Sequence, residues 1–201
     1  MKHSTVICSG LPLIMLLIAL VIGLSACTSR KEDTKRNSFD SIVSNSSLFS
    51  KDTEIALLKE IIFCIENRKQ AELEALFAPS QIADSDAFEQ QCADLFSFFN
   101  GAMDSYEWKG SSTDRRKDIS GSFIESRVSY DIFAAEATYR MALKFCTMDT
   151  QNDGNVGIQS LYIIRYEDTD PDFSYGGDGN WTPGINVMTE PQESPRSKWR
   201  S

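Results

Sequence analysis

The stretch ATYRMALKFCT, Ala137 to Thr147, decides the class of fold, because large apolar side chains occupy every second position in it. Its apolar members are Tyr139, Met141, Leu143 and Phe145. Successive side chains of a β-strand point to opposite faces, so this alternation predicts a strand with one buried face and one mostly wet face. The fold therefore includes a sheet that covers a core on one side.

Further strands are expected on both sides of this one. Two more runs with strand composition flank it, at about Ser122 to Phe133 and Val156 to Glu167. The run from Val156 is apolar on both of its faces, which predicts a central strand. Between the last two strands, Asn152-Asp153-Gly154-Asn155 is a turn signal and predicts a hairpin.

Two shorter segments complete the predicted sheet of about four to five strands. Ser105 to Lys109 is expected to form a short aromatic strand. The residues from Ser111 to Ser120, which include Arg115-Arg116-Lys117, are expected to form a solvated loop after it. Near the end of the chain, Trp181 to Val187 is expected to return as an edge strand, where its proline is tolerated.

Upstream of the strands, the apolar period is helical. A first helix carries two adjacent stripes, Ile55, Leu58, Ile62 and Ile65 beside Leu57, Ile61 and Cys64. A short second helix ends near Pro79, and a third runs from about Ser80 or Asp84 to Asn100. Helices followed by a meander predict an α+β fold, in which three N-terminal helices pack in a curved antiparallel sheet.

The first 26 residues have the pattern of an export signal. Leu11 to Leu24 is almost wholly apolar, and the closing Leu24-Ser25-Ala26-Cys27 resembles the signal of bacterial lipoproteins, which implies acyl chains such as palmitate on Cys27. An uncleaved transmembrane anchor is the alternative, but the 14 residues of this apolar core are fewer than the roughly 20 that a spanning helix needs. Both interpretations place the domain on the extracytoplasmic face of the cell membrane.

Composition divides the remainder into three parts. Residues 27–47 are polar and carry interleaved charges, so they are expected to form a flexible tether. Residues 48–188 are predicted to form a single α+β domain. Residues 189–201, with two prolines among polar residues, are expected to be a disordered tail.

Charge and residue counts exclude several classes of function. With 29 acidic and 20 basic residues the chain has a net charge of -9, which argues against nucleic acid as a partner. The single histidine, His3, lies in the predicted signal, so His-dependent triads and His zinc sites are excluded from the mature chain. No catalytic residue, cofactor or metal site is predicted. A disulfide between two of Cys64, Cys92 and Cys146 stays open.

The acidic residues after Thr147 are weighed as a calcium site. Asp149-x-Gln151-x-Asp153-Gly154 is similar to a calcium loop, but Ser160 stands at the position where a bidentate glutamate is needed. The preferred interpretation is a hairpin with acids at its surface. Weak calcium binding by the acidic loops, which include the run Glu167 to Asp172, remains the alternative.

Six aromatic residues are candidates for the lining of a ligand pocket: Tyr106, Trp108, Tyr139, Tyr162, Tyr166 and Trp181. The same rings could instead fill the core. Four charged residues of the strands, Glu125, Arg127, Asp131 and Arg140, are expected to face solvent.

The order of elements and the run AELEALF, Ala71 to Phe77, resemble the nuclear-transport-factor-two-like, or cystatin-like, cone fold. More narrowly, four segments resemble an uncharacterised family of lipoproteins from Gram-positive bacteria: Leu95 to Gly101, Tyr106-Glu107-Trp108, Val156-Gly157-Ile158 and Trp181 to Ile185. The resemblance covers about residues 50–188. It implies a fold but no activity.

The expected function is a non-catalytic module, anchored to the membrane through Cys27, that binds a small ligand or a protein partner. Two alternatives stay open. One is a small-molecule hydrolase or isomerase that uses carboxylates in the cone pocket. The other is an immunity or adaptor lipoprotein that captures a protein partner through an exposed sheet face.

Overall fold

The computed structural model describes residues 39–43, 51–82, 85–169 and 180–189. The helices come first: α1 (residues 39–43), α2 (Lys51–Glu66), α3 (Gln70–Glu74) and α4 (Ser85–Phe98). The strands follow: β1 (Met103–Asp118), β2 (Gly121–Ala134), β3 (Thr138–Asp149), β4 (Gly157–Arg165) and β5 (Gly184–Met188). The domain is therefore mixed α+β, as predicted. None of the helices in the described ranges is long and apolar enough to cross a membrane.

The strands form one five-stranded sheet in the order β1-β2-β3-β4-β5. Neighbours from β1 to β4 are antiparallel, but β5 runs parallel to β4, so the prediction of a wholly antiparallel sheet is wrong at this edge. The chain between Arg165 and Gly184 is long enough for the crossover that a parallel pair requires. The edge position predicted for this last strand is confirmed. Gln91 of α4 binds β5, because the side-chain Oε1 of Gln91 accepts a hydrogen bond from Ile185 N at 2.9 Å.

The first strand is longer than predicted. Residues expected to form a polar loop continue β1 to Asp118 and pair with β2 as far as Gly121. This outer half of β1 is exposed on both faces, so it carries no apolar alternation, and its polar sequence resembles that of a loop. Cross-strand contacts hold it instead, such as the 2.9 Å hydrogen bond between the hydroxyls of Thr113 and Ser126.

The core lies between the helices and one face of the sheet. Both predicted stripes of α2 contribute to it, with Leu57, Leu58, Ile61, Ile62, Cys64 and Ile65 buried. The sheet contributes Val128, Tyr130, Ile132, Tyr139, Met141, Leu143 and Phe145. We call this side of the sheet the core face. The alternation in β3 thus predicted its buried side correctly, but the expected wet face is wrong, because no residue of β3 is exposed and Ala142 and Cys146 on that face are fully buried.

Helix α1 adds to this core from within the segment expected to be a tether. Phe39 and Val43 are buried, and Ile42 packs against the same cluster. The spacing of these three residues places them on one side of the helical turn. The predicted signal (residues 1–26) and nearly all of the predicted C-terminal tail (residues 190–201) lie outside the described residues.

Candidate functional site

The far end of β3 contains a β-bulge. Ile124 and Glu125 of β2 pair with Met148 and Cys146 of β3, which leaves Thr147 as the extra residue. A bulge bends its strand and turns a side chain in a new direction. The Thr147 hydroxyl is buried and has no hydrogen-bond partner among the described residues.

The segment after α3 lies beside this end of the sheet. Ala78 N donates to Ile158 O, and Ile158 N donates to Leu76 O, each at 2.8 Å. Phe77 forms a parallel bridge with Ile158. The start of β4 therefore holds Phe77 next to the bulged end of β3.

Asp149 organises the connection from β3 to β4. Its Oδ1 accepts hydrogen bonds from Gln151 N at 3.0 Å and Asn152 N at 3.1 Å, and its Oδ2 accepts one from Asn155 Nδ2 at 2.8 Å. These donors, the Asn155 amide first, lower the pKa of Asp149 below its usual value. The carboxylate thus stabilises the turn, which joins antiparallel strands as the sequence predicted. Within the described residues, no group of three His, Cys, Asp or Glu side chains is placed to hold a metal ion.

A cleft of about 650 Å³ lies between α1, α3, the bulge and this turn, and we call it the bulge cleft. Its larger apolar residues are Phe39, Phe77, Ile82, Met148 and Val156. Its acidic residues are Asp40, Glu74, Asp149 and Asp153. No Lys or Arg is found among the described residues that line it. The cleft therefore combines apolar walls with acidic side chains.

The six aromatic candidates do not converge on one site. Tyr106, Trp108 and Tyr139 lie on the core face, in register with buried residues of β2. Tyr139 is fully buried, with its hydroxyl accepting from Asn100 N at 3.0 Å. Trp108 Nε1 donates to Glu54 Oε2 at 3.1 Å. These three rings fill or border the core.

The other three candidates lie elsewhere. Tyr162 is buried, and its ring contacts that of Trp181 at 5.9 Å between centroids. Tyr166 is 47% exposed, beside the guanidinium of Arg140. None of the six lines the bulge cleft.

Charged side chains cover the side of the sheet away from the core, which we call the charged face. Glu125 and Asp131 were expected to face solvent, and this is wrong, because they are only 7% and 2% exposed. Arg140 binds both oxygens of Asp131, and Lys109 Nζ lies 3.6 Å from the same carboxylate. Glu125 is bound by Arg127 at 2.8 Å and by Lys144 at 3.2 Å. Paired cations allow these acids to be buried.

A groove of about 400 Å³ runs along the charged face. Lys109, Arg127, Arg140 and Trp181 line it, together with serines of β1 and β2. Each of the three cations is already paired with a carboxylate. The groove is therefore close to electrically balanced.

Three cysteines were also possible reactive groups. Cys64, Cys92 and Cys146 are free thiols and fully buried, so none of the disulfides that the sequence left open is formed among them. Burial raises the pKa of Cys64 and Cys92 to about 12, and that of Cys146 to about 11. At neutral pH these thiols stay protonated, so they are poor nucleophiles.

The sequence that forms this architecture matches the model of a known protein family. A family model described as a domain of unknown function, DUF5104, matches residues 60–166, which is more than half of the chain. The chain belongs to the DUF5104 family. The prediction of membership in an uncharacterised family is confirmed. No curated protein matches the sequence.

The DUF5104 match runs from within α2 to the end of β4, and it contains all of the bulge cleft except Phe39 and Asp40. Sequence reasoning missed this cleft, because the apolar alternation of β3 ends at Phe145 and gives no sign of the bulge at Thr147. Two signals could have found it. Phe39, Ile42 and Val43 have helical spacing, and Asp149 stands at the start of a turn-forming run.

Proposed function

We propose that this member of the DUF5104 family is a non-catalytic, lipid-anchored binding module on the extracytoplasmic face of the cell membrane. Its ligand site is the bulge cleft, and its anchor is Cys27. The anchor rests on Leu24 to Cys27, a segment outside the described residues. We further propose that the helices and sheet form the cone fold of a Gram-positive lipoprotein family, which the order of elements supports.

The bulge cleft is the observation that carries this proposal. Small-molecule sites are typically concave spaces of roughly 300 to 1,000 Å³ with mostly apolar walls and a few polar groups. A volume of about 650 Å³, five larger apolar residues and a few polar side chains match that description. Bulges are also enriched beside functional sites.

The state of the reactive groups supports binding rather than catalysis. The three buried thiols are protonated at neutral pH, because burial raises their pKa. Asp149, within the cleft, is engaged by three hydrogen bonds of its own turn. A carboxylate-dependent hydrolase or isomerase would need an acid that is free to reach the bound substrate. The buried acids Glu125 and Asp131 are instead held by cations on the charged face.

An adaptor that captures a protein through an apolar sheet face is the third possibility. The large apolar side chains that are exposed in the described ranges are Phe63, Ile119, Phe133 and Tyr166. They belong to different elements: α2, the β1–β2 turn, β2 and the segment after β4. Scattered single side chains favour a ligand cleft over a protein-docking patch.

A cavity-filling variant tests the site. Ala75 lines the bulge cleft just after α3, so Ala75→Trp should fill the cleft. Ala93→Trp, on the exposed side of α4, is the matched control. Fragments that bind the full chain in ligand-observed NMR should be lost with Ala75→Trp and kept with Ala93→Trp. If all of the fragments bound Ala75→Trp as well as they bind the unchanged chain, the bulge cleft would not be the ligand site.

Membrane fractionation tests the anchor. Cys27→Ser should move the protein from the membrane fraction to the soluble extracytoplasmic fraction, since the thiol is the proposed attachment point. Cys8→Ser, within the predicted signal, is the matched control and should stay with the membrane. Retention of Cys27→Ser would favour an uncleaved transmembrane anchor.

A further inference from the structure

We infer that the groove on the charged face is a second ligand site, and that it takes a neutral saccharide. Its volume of about 400 Å³ lies within the range of roughly 300 to 1,000 Å³ that is usual for small-molecule sites. Among the described residues, none lines both this groove and the bulge cleft. The inference therefore goes beyond the proposed function and does not depend on it.

The first observation is the backbone of Trp181, which lines the groove. Its φ is +56°, in the left-handed region, which a bulky residue rarely adopts. The next residue holds this conformation, because Thr182 N donates to the Tyr162 hydroxyl and Thr182 O accepts from Ser160 Oγ, each at 2.6 Å. Backbone strain that the surrounding structure maintains is typical of sites that hold a ligand.

Trp181 also gives the groove an apolar surface. Its ring contacts that of Tyr162 edge to face, with 5.9 Å between centroids, and the Arg127 guanidinium lies 6.0 Å from its centroid. These contacts fix the orientation of a side chain that stays partly exposed. A sugar ring presents patches of C–H groups, and an indole offers such patches a large rigid surface against which to pack.

The polar groups of the groove suit a ligand rich in hydroxyls. Arg127 is 43% exposed, and its hydrogen bond to Glu125 uses one of the five N–H groups of the guanidinium. Ser112 and Ser129 also line the groove, and each hydroxyl both donates and accepts hydrogen bonds. Donors and acceptors therefore lie close together beside the indole.

The pairing of charges favours a neutral ligand. Each cation that lines the groove, Lys109, Arg127 or Arg140, is already paired with a carboxylate. An anion would compete with these carboxylates, and a cation would meet the guanidinium and ammonium groups. A neutral polyol can hydrogen-bond to the paired ions without separating them, and hydrogen bonds to charged groups are stronger than those between neutral groups.

The edge of the sheet leaves room for such a ligand. A β-bulge lies between Trp108 and Gly110 of β1, and bulges are enriched beside functional sites. Gly110 lines the groove, and no described atom lies within 4 Å of the point where its Cβ would be. A chain of sugar rings can therefore extend past this edge.

Three neutral trisaccharides serve as probes: maltotriose, cellotriose and triacetylchitotriose. Sorbitol, which has hydroxyls but no ring, is the comparison. Proton–nitrogen correlation NMR of the full chain reports on each indole N–H separately. At least one trisaccharide at millimolar concentration should shift the Trp181 signal, which Trp181→Phe assigns. The Trp108 signal should not move, because Trp108 donates to Glu54 on the core face. Sorbitol should shift neither signal, and an equal shift with sorbitol would overturn the saccharide class.

Two variants with matched controls locate the site. Trp181→Ala should weaken binding about tenfold or more, since it removes the apolar surface. Phe63→Ala, which removes an exposed ring from α2, should not. Ser112→Tyr, on the exposed part of β1, should fill the groove and abolish binding while leaving Trp181 unchanged. Its control is Lys117→Tyr, which is exposed on the same strand outside the groove and should bind normally.

Every outcome decides the inference. If no trisaccharide shifts the Trp181 signal, or if both Trp181→Ala and Ser112→Tyr bind as well as the unchanged chain, the inference fails. If inorganic phosphate binds in the groove and the trisaccharides do not, the groove is an anion site. Ala75→Trp, which fills the bulge cleft, should leave saccharide binding unchanged. Loss of binding in that variant would place the saccharide in the bulge cleft, and would overturn this inference while supporting the proposed function.

Discussion

Arg140 binds Asp131 through two hydrogen bonds, from Nε to Oδ1 at 2.7 Å and from Nη2 to Oδ2 at 3.0 Å. Both side chains are largely removed from water, at 11% and 3% exposure. A buried carboxylate is tolerated only when cations and hydrogen bonds compensate its lost hydration. The pair therefore fixes the register of β2 and β3 on the charged face.

We expect Asp131→Asn to destabilise the protein by about 3–5 kcal/mol, because it leaves a buried guanidinium without its counter-ion. Lys109, 3.6 Å from the same carboxylate, loses a partner as well. Urea unfolding, followed by far-ultraviolet circular dichroism, measures the change in the free energy of unfolding.

Asp114→Asn is the control for this prediction. Asp114 also pairs with an arginine, Arg116 at 2.7 Å, but both side chains are well exposed. An exposed pair contributes less than about 1 kcal/mol. Equal losses in the two variants would mean that burial does not determine the strength of the Asp131 pair.

Gly157→Ala should destabilise the protein through a steric clash. Gly157 has φ +129°, and a Cβ at this position would lie 2.5 Å from Ala78 N. The backbone of residues 76–78 hydrogen-bonds to β4 here, so it cannot move away without losing those bonds. Overpacking of this kind costs about 1–3 kcal/mol in addition to the backbone strain. Thermal unfolding measures the loss.

Gly110→Ala is the matched control, since Gly110 has φ +153° but no neighbouring atom within 4 Å of the point where its Cβ would lie. It should show the backbone strain without the clash. The difference between the two variants isolates the close approach of Ala78 to β4, which also shapes the bulge cleft. If Gly157→Ala and Gly110→Ala had the same melting temperature, this result would contradict the clash.

The parts of the fold that the sequence predicted are those in which burial leaves a periodic pattern. Helix α2 has two apolar stripes because it is covered on more than one side, and β3 alternates because only one of its faces meets the core. The outer half of β1 meets water on both faces, so its sequence carries no such pattern.

The site was harder to predict, for a related reason. Burial of Asp131 depends on Arg140 and Lys109, which belong to other strands, and hydropathy along one strand does not report on these partners. The bulge at Thr147 depends on a slip in pairing with β2. Both features arise from contacts between strands, and a single sequence does not specify the register of those contacts.

Chelation should leave the melting temperature unchanged. The turn after β3 is held by hydrogen bonds from Gln151, Asn152 and Asn155 to Asp149, so it needs no cation for its stability. Differential scanning fluorimetry with and without a calcium chelator measures this. A fall of several degrees, restored by added calcium, would show that an ion stabilises the fold.

The buried thiols predict that stability falls in alkaline solution. Burial raises the pKa of Cys92 from its usual value of 9.0 to about 12. Below pH 9 the thiol is protonated in both the folded and the unfolded chain, so it contributes no pH dependence. Between pH 9 and about 12 the unfolded chain releases the proton and the folded chain retains it, which favours unfolding.

The free energy of unfolding should therefore decrease by up to about 1.4 kcal/mol per pH unit for this thiol above pH 9. Comparison with Cys92→Ala isolates the contribution, because other alkaline groups titrate in both proteins. The variant is less stable at pH 7 through its lost volume, and the gap between the two proteins should narrow as the pH rises through this window. A gap that stays constant from pH 8 to pH 11 would mean that the Cys92 thiolate is not excluded from the folded state.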